Sequence, residues 1–169
     1  PELLYYEGTA WYQKSFDYAL PKGKRLYLWF GAVNYKAIVY LNGKRLGEHE
    51  GGFTPFSFEI TDKVREKGNY IVVYVNDQRK RDGVPTLNTD WWNYGGITRD
   101  VLLIEEENLF VRDFSIGLAK GSFENITGWA QLSDSIAGKD IKLDIPELKI
   151  NTTVKTDASG KAFFSLKAK

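Results

Sequence analysis

Apolar residues recur at every second position through most of this chain, and that spacing restricts what the chain can fold into. Between residues 24 and 30, for example, Leu26, Leu28 and Phe30 share one parity, and the pattern returns within residues 69–76. Successive side chains of a strand point to opposite faces, so this spacing predicts strands with one buried face. No window has the spacing of an amphipathic helix. We therefore predict an all-β chain.

The clearest turn in the sequence is Asn42-Gly43. It separates the apolar segment 37–41 from the shorter segment 44–46. Both central residues of a type I′ turn need positive φ, which Asn and Gly adopt readily, so this pair predicts a tight hairpin. Many strands separated by Gly, Pro and Asn turns are typical of an antiparallel sandwich or jelly roll.

The composition excludes several classes of function. The 169 residues carry a formal net charge of +1, so we expect no general attraction to nucleic acid or to an anionic membrane. No apolar run approaches the roughly 20 residues that cross a bilayer. Cysteine is absent, and the single histidine, His49, lies between Glu48 and Glu50. Neighbouring strand residues point to opposite faces, so we expect no metal site at His49. The sequence has no phosphate-binding loop or dinucleotide fingerprint, so we expect no cofactor.

The first residues of the sequence indicate a piece of a longer protein. The chain contains no methionine and begins at Pro1 without a charged and apolar leader. An export signal would then lie upstream. The cellular location is therefore unknown, with the periplasm or the exterior favoured over the cytoplasm.

One connection between predicted strands is unusually long. It runs from Asp77 to Gly96 and contains two adjacent tryptophans. Loops of this length in a compact domain are functional or disordered, and disordered segments contain few aromatic residues. We therefore expect an ordered functional loop. Its basic run Arg79-Lys80-Arg81 is either a solvated surface or an electrostatic attraction for the carboxylate of a ligand.

Two charged residues follow this loop inside a predicted strand over residues 97–104. They are Arg99 and Asp100. Side chains fixed by strand register more often form ion pairs or hydrogen bonds than contact a substrate. We therefore expect both to bond with each other or with nearby loops.

The sequence pattern changes near residue 106, which predicts a domain of residues 1–106 followed by a domain of residues 107–169. The acidic run Glu105-Glu106-Glu107 is interpreted as the linker. Five candidate strands follow, at 109–116, 126–133, 139–145, 149–156 and 162–166. An immunoglobulin-type sandwich needs about seven strands. The second domain is therefore expected to be truncated, with an unpaired edge open to another chain.

Four motifs occur in order along the chain and together resemble one protein family. They are Gly8-Thr9-Ala10-Trp11-Tyr12-Gln13-Lys14-Ser15-Phe16, Val39-Tyr40-Leu41-Asn42-Gly43, His49-Glu50-Gly51-Gly52-Phe53-Thr54-Pro55-Phe56 and Asp90-Trp91-Trp92-Asn93-Tyr94-Gly95-Gly96-Ile97-Thr98-Arg99-Asp100-Val101. Their order and spacing resemble the sugar-binding domain of glycoside hydrolase family 2, the family of β-glucuronidases and β-galactosidases. The resemblance is close from about Gly8 to Ile104 and weaker to Lys169. It implies a jelly-roll (galactose-binding-like) β-sandwich followed by a truncated immunoglobulin-like β-sandwich.

The same resemblance implies where the sugar is contacted. In this family the aspartate that opens the last motif reaches the active site of a catalytic barrel, and the matching residue here is Asp90. Substrate-binding roles are thereby implied for Asp90, Trp91, Trp92 and Asn93. A carboxylate accepts hydrogen bonds from neighbouring sugar hydroxyls, and a tryptophan offers an apolar face to a pyranose ring. Packing in the core or between domains is an equal alternative for each tryptophan.

The catalytic glutamates of this family lie on the barrel, which takes about 250 residues and does not fit in this chain. The resemblance therefore implies the non-catalytic N-terminal part of a retaining exo-β-glycosidase, with the β-glucuronidase type favoured over the β-galactosidase type. The implied partners are a β-linked glycoside, the missing barrel and, through the open edge, a second copy. A free-standing carbohydrate-binding module and a structural or oligomerisation sandwich are the alternatives.

Overall fold

The computed structural model describes residues 5–167, and the chain separates into two compact units after Glu107. Regular structure in the described residues is almost entirely strand, as the alternation predicts. In the first unit the strands are β1 (Thr9–Phe16), β2 (Lys24–Phe30), β3 (Val33–Asn34), β4 (Lys36–Leu41), β5 (Lys44–Glu50), β6 (Phe56–Glu59), β7 (Asn69–Asn76), β8 (Gly96–Ile97) and β9 (Val101–Glu107).

Two antiparallel sheets enclose the core of the first unit. One has the strand order β1-β7-β4-β5 and the other β6-β2-β9, while β3 and β8 form a short separate pair. Leu26, Leu28 and Phe30 of β2 are 0%, 1% and 0% exposed, which confirms the predicted parity. Alternate residues of β4 and β7, including Val39 and Val75, complete this core from the opposite sheet. This is the jelly-roll sandwich that the sequence predicts.

The hairpin between β4 and β5 turns at the predicted pair. Asn42 has φ of 52° and Gly43 has φ of 80°, the left-handed conformation that this turn requires. The Asn42 side chain also donates to the Lys63 carbonyl at 3.1 Å and accepts from the Tyr70 backbone N–H at 3.1 Å. The turn residue thus fastens the hairpin to β7.

Two predictions about charged residues near β9 are wrong. Glu105, Glu106 and Glu107 do not form a linker but end β9, where they pair with Leu26, Arg25 and Lys24 of β2. Opposite charges on the neighbouring strand make an acidic strand end stable.

Arg99 and Asp100 are not in a strand, because the predicted strand 97–104 is interrupted by a bend between β8 and β9. Both residues are exposed. Gly31 N–H donates to the Asp100 carbonyl at 2.9 Å, and within residues 5–167 the two charged side chains form no ion pair.

The second unit contains the five strands that the sequence predicts, each beginning within two residues of its expected start. They are β10 (Val111–Leu118), β11 (Asn125–Leu132), β12 (Asp140–Ile145), β13 (Ile150–Lys155) and β14 (Lys161–Lys167), with a turn of 3-10 helix at Pro146–Leu148. One sheet has the order β10-β11-β14, and β12 pairs with β13. Among the described residues, no helix is long and apolar enough to cross a membrane.

The core of the second unit is small and incompletely covered. Ala130, Leu132, Ile141 and Ala162 form its central buried cluster, and Ile126 and Ile150 are also buried. Phe114 pairs directly with Ala130 and so lies on the same face of the sheet, yet it is 68% exposed. The pair β12–β13 therefore covers only part of this face.

Candidate functional site

The long loop between β7 and β8, residues 77–95, is fastened where it leaves β7. Asp77 Oδ1 accepts a 2.6 Å hydrogen bond from the Gly8 N–H, and the Asp77 N–H donates to the Gly8 carbonyl at 3.0 Å. Gly95, at the far end of the loop, packs against the same carboxylate. A Cβ at Gly95 would lie 1.8 Å from Asp77 Oδ2, so only glycine fits there. Asp77 thus joins the two ends of the loop.

A second contact holds the end of the loop that enters β8. Asn34 is 2% exposed, and its Nδ2 donates to the Tyr94 carbonyl at 2.8 Å. A Cβ at Gly52 would lie 2.4 Å from Asn34 Oδ1, so the connection between β5 and β6 also packs closely on this side chain. Asn34 Oδ1 has no hydrogen-bond partner among the described residues. Asp77 and Asn34 therefore hold the two ends of the loop in place.

Asp90 and Trp91 lie on the exposed part of this loop. The Asp90 side chain is exposed, and within the described part of the chain its carboxylate forms no hydrogen bond or ion pair. Trp91 is 61% exposed, and its carbonyl accepts a 2.9 Å hydrogen bond from Thr89 Oγ1. A free carboxylate and an open aromatic face therefore stand next to each other in sequence on an anchored loop.

Trp92 and Asn93 are half-buried, and Trp92 packs against other residues of the protein. The Trp92 ring meets the Tyr5 ring edge-on with centroids 5.2 Å apart, and the Arg79 guanidinium lies 4.9 Å from its centroid. Asn93 lines a cavity of about 10 Å³ beside Asp77, which is room for about one water molecule. The four residues singled out by the sequence thus separate into an exposed pair and a packed pair.

Two cations of the basic run Arg79-Lys80-Arg81 form ion pairs within the protein. Arg79 Nε donates to Glu7 Oε1 at 2.8 Å, and Lys80 Nζ lies 3.3 Å from Glu50 Oε1. Arg81 is exposed and has no ion pair among residues 5–167. Two of the three cations therefore already have a carboxylate partner.

The single histidine has a structural environment. The His49 ring stacks on Phe56 with centroids 4.3 Å apart and an interplanar angle of 15°, and its Nε2 lies 3.0 Å from Thr54 Oγ1. Among the described residues, no group of three or more His, Cys, Asp or Glu side chains is placed to hold a metal ion. His49 helps to pack β5 against the start of β6.

The residues that hold the loop were not identified from the sequence. Asn34, Asp77 and Glu7 reach partners 60, 69 and 72 positions away. No local pattern signals such contacts. The pair Gly95-Gly96 is the one nearby sign of a close backbone approach, and it does not name the partner.

The family to which this chain belongs is decided by its first unit. Residues 1–107 match the family model described as "Glycosyl hydrolases family 2, sugar binding domain". The chain belongs to glycosyl hydrolase family 2. The family resemblance drawn from the four motifs is thereby confirmed.

Individual family 2 relatives are much longer than this chain. A β-glucuronidase of Bacteroides fragilis is 46% identical over 111 residues, which is 63% of this chain and 16% of that protein. A β-galactosidase of Thermoanaerobacter pseudethanolicus is 34% identical over 142 residues, covering 80% of this chain and 19% of its own length. The chain therefore spans less than a fifth of these two relatives.

One solved structure resembles this chain over the residues of both units. The β-glucuronidase of Bifidobacterium dentium, in complex with coumarin-3-O-glucuronide, matches with a TM-score of 0.78 and 23% identity. The match covers 95% of this chain and 33% of that one. A known fold thus contains strands that correspond to those of the first unit and to those of the second.

Proposed function

We propose that this chain is the non-catalytic N-terminal part of a retaining exo-β-glycosidase and supplies one wall of its substrate pocket. The observation that carries the proposal is the exposed Asp90 carboxylate, without a partner among the described residues, on a loop fastened by Asp77 and Asn34. A carboxylate left unpaired on an ordered loop is available to an external hydrogen-bond donor. The position of Asp90 at the start of the family motif supports the same role.

The chemistry offered by the loop is binding. Asp90 accepts hydrogen bonds from sugar hydroxyls, and Trp91 offers an apolar ring face to the pyranose. Trp92 supports the loop through its contacts with Tyr5 and Arg79. Retaining hydrolysis requires two carboxyl groups about 5 Å apart on either side of the glycosidic bond. We assign these to a catalytic barrel in the part of the longer polypeptide that this chain does not cover.

Within family 2 we favour the β-glucuronidase type over the β-galactosidase type. The support is the higher identity to the Bacteroides fragilis β-glucuronidase, 46%, against 34% for the Thermoanaerobacter β-galactosidase. We assign residues 1–106 as the sugar-binding jelly roll and residues 107–169 as the immunoglobulin-like part. The partners that we propose for this chain are a β-linked glycoside, the barrel of the same polypeptide and a second copy at the open edge of the second unit.

The decisive experiment is steady-state kinetics of the longer enzyme with Asp90→Ala. Loss of hydrogen bonds to a charged group is expected to reduce transition-state stabilisation by about 1.5 to 3 kcal/mol, and this reduction is measured as a lower kcat/KM. The melting temperature should hardly change. A large drop in melting temperature with unchanged activity per folded molecule would show instead that Asp90 is structural.

A free-standing carbohydrate-binding module is the second candidate, and the exposed Trp91 favours it. Calorimetric titration of the 169-residue chain with monosaccharides separates the two. One wall of a pocket should bind only weakly. Micromolar affinity of the chain alone would favour the binding module, and turnover of a chromogenic β-glycoside that follows the purified chain would refute the non-catalytic assignment.

A further inference from the structure

Arg79 lies between a carboxylate and an aromatic ring that belong to two different segments. Its Nε donates to Glu7 Oε1 at 2.8 Å, and its guanidinium lies 4.9 Å from the centroid of Trp92. The Arg79 side chain is only 24% exposed, so its charge is partly removed from water. Arginine suits this position, because the planar group can stack on a ring while its N–H groups donate sideways.

Lys80 has the same kind of environment on its own side of the loop. Its Nζ lies 3.3 Å from Glu50 Oε1 and 5.8 Å from the centroid of the Tyr35 ring. Consecutive side chains of the loop therefore contact two different parts of the first unit, the segment before β1 and the end of β5. Arg81 is the matched contrast, since it is exposed and has no such partner in the described residues.

We propose that Arg79 is a positioning residue for Asp90. The inference rests on the proposed role of Asp90 as a sugar contact. Trp92 is two residues from Asp90, and two residues of extended chain span at most about 7 Å. A fixed Trp92 ring therefore restricts where the Asp90 carboxylate can stand.

Glu7, the ion-pair partner of Arg79, lies in a segment that is itself held in place. Glu7 precedes Gly8, whose backbone N–H and carbonyl both bond to Asp77 at the base of the loop. Tyr5, in the same segment, contacts the Trp92 ring with the two ring planes nearly perpendicular. Arg79 thus joins Trp92 to a segment that is hydrogen-bonded to the base of the loop.

This role also changes the interpretation of the basic run. Glu7 and Glu50 offset the charges of Arg79 and Lys80, so these two cations attract a uronic-acid carboxylate less strongly than unpaired cations would. Their contacts within the protein act instead on the geometry of the loop.

The experiment is fluorine NMR of the 169-residue chain labelled with 5-fluorotryptophan. The Trp92 signal is assigned by its loss in Trp92→Phe, and the Trp29 signal, from β2, reports on the sandwich. In Arg79→Gln the Trp92 signal should shift and broaden while the Trp29 signal stays in place. Arg79→Lys should restore the signal in part, because it keeps the charge and loses the planar stack. Arg81→Gln, with the same change of charge, should leave both signals unmoved.

An unchanged Trp92 signal in Arg79→Gln would overturn the proposal, and so would an equal shift in Arg81→Gln. If Arg79→Gln fails to fold, Glu7→Gln takes its place, since it leaves the ring contact and weakens only the ion pair. The same shift is expected there, and its absence would equally overturn the proposal.

Kinetics of the longer enzyme separate this inference from the proposed function. Misplacing a substrate-positioning group should lower kcat/KM by about ten- to a hundredfold in Arg79→Gln, with partial recovery in Arg79→Lys. If Asp90→Ala lowers kcat/KM and Arg79→Gln does not, the positioning role is wrong and the sugar contact stands. If Asp90→Ala has no effect, the sugar contact itself is wrong.

Discussion

The buried amide of Asn34 donates a 2.8 Å hydrogen bond to the backbone carbonyl of Tyr94, and this bond holds the functional loop where it enters β8. Asn34→Ala should lower the free energy of unfolding by about 1 to 3 kcal/mol, the range for loss of a buried hydrogen-bond partner. Urea denaturation of the 169-residue chain measures this change. Asn151→Ala, at an exposed position of β13, is the control and should stay within about 0.5 kcal/mol. Equal effects of the two substitutions would contradict the structural role of Asn34.

Two glycines should respond differently to alanine: Gly95→Ala should destabilise the chain and Gly117→Ala should not. A Cβ at Gly95 would meet Asp77 Oδ2 at 1.8 Å, so Gly95→Ala must displace Asp77 or the backbone. We expect a loss of about 1 to 3 kcal/mol in the free energy of unfolding. Gly117 in β10 has nothing within 4 Å of the added Cβ, and Gly117→Ala should be neutral or stabilise by up to about 1 kcal/mol. Thermal or urea unfolding of both variants tests the contrast, and a destabilised Gly117→Ala would count against it.

Local patterns predicted the strands and the main turn because their causes are local. The parity of Leu26, Leu28 and Phe30 follows from the geometry of a single strand. Asn42-Gly43 predicts its own turn because the required φ values belong to those two residues. The family motifs then placed Asp90 on a loop, and the structure shows that loop anchored at both ends.

Features that depend on distant partners could not be predicted in this way. Glu105 and Glu107 resemble a linker in the sequence, and only the fold brings up their partners: the Tyr18 hydroxyl, which donates to Glu105 from the segment before β2, and Lys24 of β2, which forms an ion pair with Glu107. Arg79 resembles a solvated cation for the same reason, since its partner Glu7 is 72 residues away. The sequence could not show which loop tryptophan is exposed and which is packed. That difference depends on Tyr5 and Arg79, which contact Trp92 and not Trp91.

Tyr18 should make the chain sensitive to alkaline pH. Burial, together with the hydrogen bond to Glu105 and the charge of that carboxylate, raises the pKa of the Tyr18 phenol from 10.0 to about 12. The folded state thus holds this proton more tightly than the unfolded chain. The resulting stability is fully present below pH 10 and is lost as the pH rises from 10 to about 12.

The measurement is urea unfolding at a series of pH values above 9 for the parent chain and for Tyr18→Phe. Stability of the parent chain should fall more steeply with pH above 10 than that of the variant, which has no phenol to ionise at this position. Glu105→Gln removes the charge and keeps the burial, so its pH dependence should lie between the two. Identical pH slopes in the parent chain and Tyr18→Phe would rule out a raised pKa.

Trp91 and Trp92 should separate cleanly between stability and sugar binding. Trp92→Ala removes an aromatic pair with Tyr5 and a contact with Arg79, worth together about 1 to 2.5 kcal/mol of folding free energy. Trp91 is 61% exposed, so Trp91→Ala should change the free energy of unfolding by less than about 0.5 kcal/mol. In the longer enzyme the order should reverse for substrate, with Trp91→Ala raising KM at temperatures where both variants are fully folded. Because each variant serves as the control for the other, a shared loss of stability would show that both rings pack against the protein, and a KM effect confined to Trp92→Ala would place the sugar on the other ring.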